Sequence, residues 1–140
     1  MTCLRKLFFC RKGAAAVEFA IIAPLFLMTV LSLIGYGIYI AAANSVQQIA
    51  ADAARTAVAG LSAQERSRLA QAFVNDTTLH YAFLSRDRLQ VSVQDDPGNP
   101  NQFTVALDYD ASDLPIFKLY SFALPDERIR RFSTIRIGGI

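Results

Sequence analysis

Residues 19–43 read FAIIAPLFLMTVLSLIGYGIYIAAA, a stretch of 25 positions without a charged side chain. As an α-helix it would be about 38 Å long, whereas the hydrocarbon core of a bilayer is about 30 Å thick and needs about 20 apolar residues. A buried core helix is the alternative, but a chain of 140 residues has little other material with which to cover such a helix on all sides. The stretch therefore predicts a single membrane-spanning helix.

The basic residues before this stretch predict its orientation. Arg5, Lys6, Arg11 and Lys12 precede it with no acidic residue among them, and basic residues accumulate on the cytoplasmic side of membrane helices. We therefore expect a cytoplasmic N-terminus and a C-terminal part on the other side of the membrane. Without these four of its 14 basic residues, the chain has 10 basic and 12 acidic side chains, a net charge of −2. This balance does not favour nucleic-acid binding.

The composition and the length of the apolar run exclude two further classes. Hydrophobic residues make up 53% of the chain and charged residues only 19%, which argues against an intrinsically disordered protein. A cleaved secretory signal peptide has an apolar region of about 7–15 residues before small residues. The small residues of 41–43 fit that pattern, but the apolar run before them is too long.

Glu18 is the only acidic or basic residue between Lys12 and Asp52. A carboxylate within hydrocarbon is costly, and such residues are usually functional. The alternative is that Glu18 lies at headgroup depth, where water solvates its charge.

The residues around Glu18 resemble a class III prepilin signal. Basic residues are followed by Gly13, four small or apolar residues, Glu18, Phe19 and a long apolar run. The resemblance implies that a prepilin peptidase cuts between Gly13 and Ala14 on the cytoplasmic side, which makes Glu18 the fifth residue of the mature chain. The implied role of Glu18 is to pair with the new α-amino group of a neighbouring subunit, so that neither charge is buried alone.

Over its first 60 residues the chain resembles the TadE-like family, the minor pilins or pseudopilins of Tad (tight adherence, Flp-type) pilus systems. The matching residues are Gly13, Ala14, Val17, Glu18, Phe19, Ala20 and Pro24, followed by the alanine-rich segment from Ala50 to Ala59 with Arg55. The resemblance implies a non-enzymatic protein of the bacterial inner membrane with a periplasmic C-terminal domain, either retained in the membrane or carried into the extracellular pilus. The implied partners are the prepilin peptidase, other pilins or pseudopilins and inner-membrane lipid, with no nucleic acid, small-molecule substrate, cofactor or metal.

The apolar helix is expected to continue beyond the membrane as an amphipathic helix. Apolar residues recur there at three- and four-residue spacing, at Val46, Ile49, Ala50, Ala53, Ala57 and Leu61. Gly60 suits a helix C-cap, and the capping-box pattern from Ser62 to Glu65 predicts a second helix from Ala63 to Val74. Its expected buried residues are Leu69, Ala72 and Phe73. Pro24 is expected to kink the membrane helix.

The rest of the chain predicts a small antiparallel sheet, and therefore an α+β fold. Apolar and polar residues alternate in Leu89–Val93, Phe103–Tyr109 and Ile129–Ile137, as in half-buried strands. The first two should form a hairpin with a long loop at 95–101, and Phe132 should face away from Ile129. The apolar segment from Leu114 to Leu124 is bracketed by prolines and is predicted to be a short helix or a packed loop.

The histidine, the acidic clusters and the C-terminal arginines each have a structural interpretation as well as a functional one. His80 is the only histidine, and nothing indicates a catalytic triad around it. Two acidic groups are calcium candidates: Asp108, Asp110 and Asp113, and separately Asp95 and Asp96 with Asn99 and Asn101. Neither group has the pattern of an EF-hand, and both are better explained as turns. The basic residues Arg128, Arg130, Arg131 and Arg136 are best explained as a solvated strand edge, with contact to an acidic pilus neighbour as the alternative.

We therefore expect three segments: a cleaved basic leader at 1–13, a membrane and assembly helix with its amphipathic extension at 14–60, and a small periplasmic α+β domain at 61–140. Two alternatives remain at this point. One is an uncleaved single-pass protein with an external binding domain, in which the helix is only an anchor. The other is a membrane-tethered enzyme that uses His80 or the acidic group at 108–113.

Overall fold

The computed structural model describes residues 11–77, 81, 83–119 and 124–138. Its elements are α1 (Arg11–Ala57), α2 (Ala63–Thr77), a 3₁₀ turn (Arg86–Arg88), β1 (Leu89–Asp96), β2 (Asn99–Asp110), α3 (Pro115–Leu119) and β3 (Arg128–Arg136). The strands form one antiparallel sheet in the order β1-β2-β3. The predicted α+β architecture, with a long apolar helix, a second helix and a three-stranded sheet, is confirmed.

Helix α1 has two halves with different surroundings. It is 47 residues long, or about 70 Å. Its C-terminal half packs against the sheet and α2, where the predicted positions Val46, Ile49, Ala50, Ala53 and Ala57 are all buried. Four alanines in this face, at positions 50, 53, 54 and 57, let the neighbouring elements approach closely. The expected burial of Leu61 is wrong: it is 94% exposed, because the helix ends at Ala57 and its periodicity no longer applies.

Strand β2 lies in the middle of the sheet and supplies the centre of the core. Phe103, Val105, Leu107 and Tyr109 alternate along it and are all buried on the face that meets α1, as the period of two in a strand requires. Ile129 of β3, which pairs with Tyr109, is buried beside them. Phe132 lies on the opposite face and is 64% exposed, which confirms its predicted orientation.

The hairpin between β1 and β2 has a shorter loop than the sequence predicted. Pairing continues to Asp96 and Asn99, so only Pro97 and Gly98 lie between the strands. The register shifts between Asp95 and Asp96, and the side chain of Asp96 accepts a hydrogen bond from the backbone N–H of Gly98 at 2.8 Å. The sequence predicts one loop at 95–101, but most of these residues are paired, because a β-bulge accommodates the irregular register.

Helix α2 begins at the predicted residue but buries a different face. Ser62 Oγ accepts the N–H of Glu65 at 3.2 Å, and the Glu65 carboxylate accepts the N–H of Leu61 at 2.9 Å, a variant of the predicted capping box. The helix runs on to Thr77 and buries Arg66, Ala70 and Val74. Of the residues expected to be buried, Ala72 is exposed, while Leu69 and Phe73 are half-buried. The predicted buried face of α2 contained only apolar residues, whereas the observed buried face includes the charged residue Arg66.

Gly60 provides space between α1 and α2. A Cβ at this position would lie 2.7 Å from the backbone nitrogen of Arg66 and 2.9 Å from its Cγ. The expected role of Gly60 as a C-cap is wrong. A C-cap glycine usually has a positive φ, and Gly60 is not among the described glycines with positive φ. The glycine is required because the first turn of α2 passes directly over it.

The segment after β2 contains a short helix, one of the two predicted forms. Helix α3 is 5 residues long. Leu114 and Ile116 are buried, and Ile116 packs against Gly35 of α1. Residues 120–123 of the same apolar segment lie outside the described residues.

Candidate functional site

The five candidate residues all lie on the N-terminal half of α1. Gly13 and Ala14 are in its first turns, and Glu18, Phe19 and Pro24 follow within the next three turns. Glu18 is exposed and forms no ion pair with any residue that the structure describes. The first part of the leader, residues 1–10, lies outside the described range. The predicted cleavage and the pairing of Glu18 stay predictions.

The N-terminal half of α1 is apolar around its whole circumference. At about 100° per residue its exposed large apolar side chains fall on all sides of the helix. They are Val17, Phe19, Ile21, Ile22, Leu25, Phe26, Leu27, Met28, Leu31, Leu33 and Ile34. The helix from Gly13 to Ala57 is long and apolar enough to cross a membrane. A helix that is hydrophobic on all sides needs an apolar environment, which here is lipid or other helices.

The two side-chain hydroxyl groups in this half are satisfied within the helix itself. Thr29 Oγ1 donates to the carbonyl of Leu25 at 2.9 Å, and Ser32 Oγ donates to the carbonyl of Met28 at 2.7 Å. Helix α1 continues through Pro24, whose missing N–H leaves the carbonyl four residues earlier without its usual partner. The predicted kink at Pro24 stays a prediction.

The C-terminal domain meets α1 inside the apolar run. Gly35 is buried, and a Cβ there would lie 3.0 Å from the Cδ1 of Ile116 in α3. One turn later, the hydroxyl of Tyr39 donates to the carbonyl of Asp126 at 3.0 Å, and its ring meets Phe117 edge-on at 6.4 Å. The predicted span of 19–43 is therefore divided: the helix up to Ile34 is largely uncovered, and from Gly35 onwards one of its faces is packed against the domain.

An ion pair between Arg66 and Asp95 joins α2 to the end of β1. The Arg66 side chain is 9% exposed, its Nη2 donates to both carboxylate oxygens of Asp95 at 2.9 Å, and its Nη1 donates to the carbonyl of Gly60 at 3.4 Å. The guanidinium carbon also lies 5.4 Å from the centre of the Phe103 ring, a cation–π contact. The predicted buried face of α2 did not include Arg66, although Arg66, Ala70 and Val74 follow one another at a spacing of four residues and so share one helix face.

Replacing Asp95 with alanine is expected to lower the free energy of unfolding by about 1–2 kcal/mol, because it leaves the buried guanidinium unpaired. The loss is smaller than for a fully buried pair, since the Asp95 side chain is 39% exposed. Denaturant unfolding of the full chain in detergent measures it. Asp76→Ala, which removes an exposed carboxylate of α2, is the matched control. Equal midpoints for the two variants would contradict the anchoring role of the pair.

The acidic calcium candidates contact basic side chains. Arg88 pairs with Asp113 at 2.8 Å and with Asp110 at 3.5 Å, and Lys118 pairs with Asp113 at 3.3 Å. Hydrogen bonds from the side chain and backbone of Ser112 lower the pKa of the Asp110 carboxyl, and the charges of Arg88 and Arg128 act in the same direction with smaller effect. Over the described ranges, no group of three or more potential ligands is placed to hold a metal ion.

The second acidic group forms the turn that the sequence analysis favoured. Asp96 accepts hydrogen bonds from Gly98 and from the side chain of Gln102, and the Asn99 side chain accepts the N–H of Asn101. Asp95 is occupied by the ion pair to α2. His80, the catalytic candidate, lies outside the described residues.

The basic residues of β3 divide between its two faces as predicted. Arg128 and Arg130 lie 4.0 and 3.8 Å from Asp108 on the outer face of the sheet. Arg131 points the other way, and its Nη1 donates to the carbonyl of Arg130 at 2.8 Å. Gln47 of α1 donates to the carbonyl of Phe132 at 3.3 Å. Side chains thus bond to two adjacent outward carbonyls of β3, which hinders pairing of this edge with another strand.

Comparison with protein families identifies the segment that carries the candidate site. The model of the TadE-like protein family matches residues 13–55, a range that contains Gly13, Ala14, Glu18, Phe19 and Pro24. No curated protein and no solved structure matches the chain. The predicted resemblance to the TadE-like family is confirmed over residues 13–55, the segment that matches the family model.

Proposed function

We propose that the protein is a minor pilin or pseudopilin of a Tad pilus, cut by a prepilin peptidase after Gly13 and assembled through the exposed half of α1. The observation that carries the proposal is the division of one continuous helix. Residues 14–34 have an apolar surface that the domain leaves largely uncovered, whereas the half from Ala42 to Ala57 belongs to the domain core. A subunit built in this way presents a helix to its neighbours while its folded domain stays outside the apolar layer.

The position of Glu18 supports a role in lateral assembly. After cleavage at Gly13 it is the fifth residue of the chain, close to the positive end of the helix dipole, where a carboxylate is favourable. Its exposure leaves it available to the α-amino group of a neighbouring subunit. In hydrocarbon, an unpaired carboxylate or ammonium group is costly, so pairing stabilises both charges.

The small residues on the same half of the helix support close packing of subunits. Ala14, Ala15, Ala16 and Ala20 are exposed, and small residues at helix interfaces let backbones approach in apolar surroundings. Gly35, another small residue of α1, is covered by α3 of the same chain. The surface for neighbouring helices is therefore assigned to the part of α1 before Gly35.

The domain connects to this helix without a linker, since α1 enters its core directly. Movement of the helix during assembly would therefore carry the domain with it as one body. The role is structural rather than enzymatic, in keeping with a pilin-type family. We propose a cytoplasmic N-terminus and a periplasmic domain, from the basic residues before the helix.

The mature N-terminus tests this proposal. We expect intact mass and terminal sequencing to give a chain that starts at Ala14 when the protein is produced in membranes with its cognate peptidase, and at Met1 without it. Gly13→Val is the matched variant, because a branched side chain before the scissile bond obstructs approach of the peptidase. An intact leader in both samples, with the peptidase cutting a known pilin, would contradict processing and favour an uncleaved single-pass anchor.

A further inference from the structure

The uncovered part of α1 has a length close to the thickness of a membrane. It runs from Ala14 to Ile34, which is 21 residues, or about 31 Å of helix. The hydrocarbon core of a bilayer is about 30 Å thick. The part of α1 that the domain leaves largely bare is thus long enough to cross the hydrocarbon, with almost no length to spare.

The domain begins at the end of this part and leaves no gap. Ile116 of α3 packs against Gly35 so closely that a Cβ there would lie 3.3 Å from the Ile116 Cα. Helix α3 therefore lies against α1 at the level where the hydrocarbon must end. If the helix crosses a membrane through residues 14–34, α3 cannot stand away from its surface.

Aromatic side chains are concentrated at the same level. Tyr36 and Tyr39 lie on α1 just beyond Gly35, and both are half-buried, as is Phe117 of α3, which contacts Tyr39. Tyrosine is enriched at membrane–water interfaces because its ring is apolar and its hydroxyl is polar. This concentration of aromatic residues independently marks the boundary between hydrocarbon and headgroups.

A shallow groove with an exposed lysine opens at this boundary. Its lining residues are Leu31, Ile34, Gly35, Asp113, Pro115, Lys118 and Leu119. The Lys118 side chain is 68% exposed, and Asp113 lies between it and Arg88. Apolar walls with a long cationic side chain at the rim suit the outer part of a phospholipid, because lysine places its stem along apolar surface and its ammonium in the polar layer.

We propose that α3 rests on the membrane surface, with the Lys118 ammonium at the level of the lipid phosphates and Gly35 at the edge of the hydrocarbon. The partner of this surface is a phospholipid headgroup. The placement depends on α1 crossing a membrane, but it requires neither cleavage after Gly13 nor pilus assembly. It would fix the height of the domain above the bilayer and hold Glu18 about 25 Å deeper, near the opposite face.

Depth-dependent fluorescence quenching tests this placement. The full chain, with Cys3 and Cys10 replaced by serine, is reconstituted in vesicles of phosphatidylethanolamine and phosphatidylglycerol and labelled at one new cysteine. Lys118→Cys reports on α3. Leu27→Cys lies two turns inside the uncovered helix, and Leu61→Cys lies beyond the far end of α1, about 33 Å further along its axis than Gly35.

We expect a headgroup nitroxide to quench the label at position 118, a mid-chain nitroxide to quench the label at 27, and neither to quench the label at 61. A label at 118 that behaves like the label at 61, while 27 is quenched, would overturn the contact with lipid. Quenching at 118 by the mid-chain nitroxide would overturn the headgroup level. Failure to quench at 27 would overturn the crossing on which the placement depends. None of these outcomes involves the peptidase, so they are independent of processing.

Two glycines of α1 provide a matched pair for a second test. A side chain at Gly35 must displace Ile116, whereas a Cβ at Gly37 meets nothing within 4 Å. With the label at 118, Gly35→Leu should lose most of the headgroup quenching because it pushes α3 away from α1. Gly37→Leu should retain it. Equal quenching in the two variants would show that contact with α1 does not hold α3 at the membrane.

Discussion

Replacing Glu18 with alanine is expected to reduce the number of assembled pili about a hundredfold in a piliated host. In the proposed assembly, the variant leaves the α-amino group of a neighbouring subunit unpaired within hydrocarbon. A charge in that position costs on the order of 3 kcal/mol, and each 1.4 kcal/mol corresponds to about a tenfold change in association. Pilus counts by electron microscopy, or sheared pilin measured by immunoblot, give the result.

The control for this variant separates assembly from folding and processing. Glu18 is exposed and lies four turns before the first contact of α1 with the domain, so the domain should fold normally and the mature N-terminus should remain Ala14. Asp76→Ala removes an exposed carboxylate from α2 and should leave the pilus number unchanged. A normal pilus number in the Glu18 variant would remove the proposed role of this carboxylate, although cleavage after Gly13 could still occur.

The largest effect on the stability of the domain is expected from Phe103→Ala. Phe103 lies in the central strand, is completely buried, and carries the Arg66 guanidinium over its ring. Truncating a buried phenylalanine to alanine typically costs about 3–5 kcal/mol, since the apolar contact is lost and a cavity remains. This loss is comparable to a large part of the stability of a small domain.

Phe132→Ala is the matched control, because the two phenylalanines lie on neighbouring strands of one sheet. Phe132 is on the outer face and 64% exposed, so its loss should change the free energy of unfolding by no more than about 1 kcal/mol. Denaturant titration of the full chain in detergent, followed by the near-ultraviolet signal of the tyrosines, compares the two. Similar midpoints would contradict the assignment of the inner face of the sheet as the core.

Most of the architecture could be predicted because it depends on local periodicity. The uncharged run at 19–43 is too long for an ordinary buried helix, and the alternation at Leu89–Val93 and Phe103–Tyr109 corresponds to β1 and β2 in the structure. The start of α2 followed from the side chain of Ser62, which accepts the N–H of Glu65. The candidate residues from Gly13 to Pro24 were also accessible, since their order and spacing match a family model.

Long-range packing decided the buried face of α2 and the role of Gly60, neither of which the sequence predicted. The buried face of α2 includes Arg66 because Asp95, 29 positions later in the chain, neutralises its charge. The role of Gly60 likewise depends on the path of α2 above it. No local pattern contains this information, because each case depends on two segments that only the folded chain brings together.

The division of the apolar run shows the same limit. Hydropathy alone marks residues 19–43 as uniformly suited to lipid, since each of them is uncharged. From Gly35 onwards the tertiary structure covers one face of this run with Ile116 and Phe117 of α3. Composition determined that an apolar helix exists and that it is long enough to cross a membrane. Which part of it faces lipid or other subunits, and which part belongs to the domain, depended on where a distant segment packs.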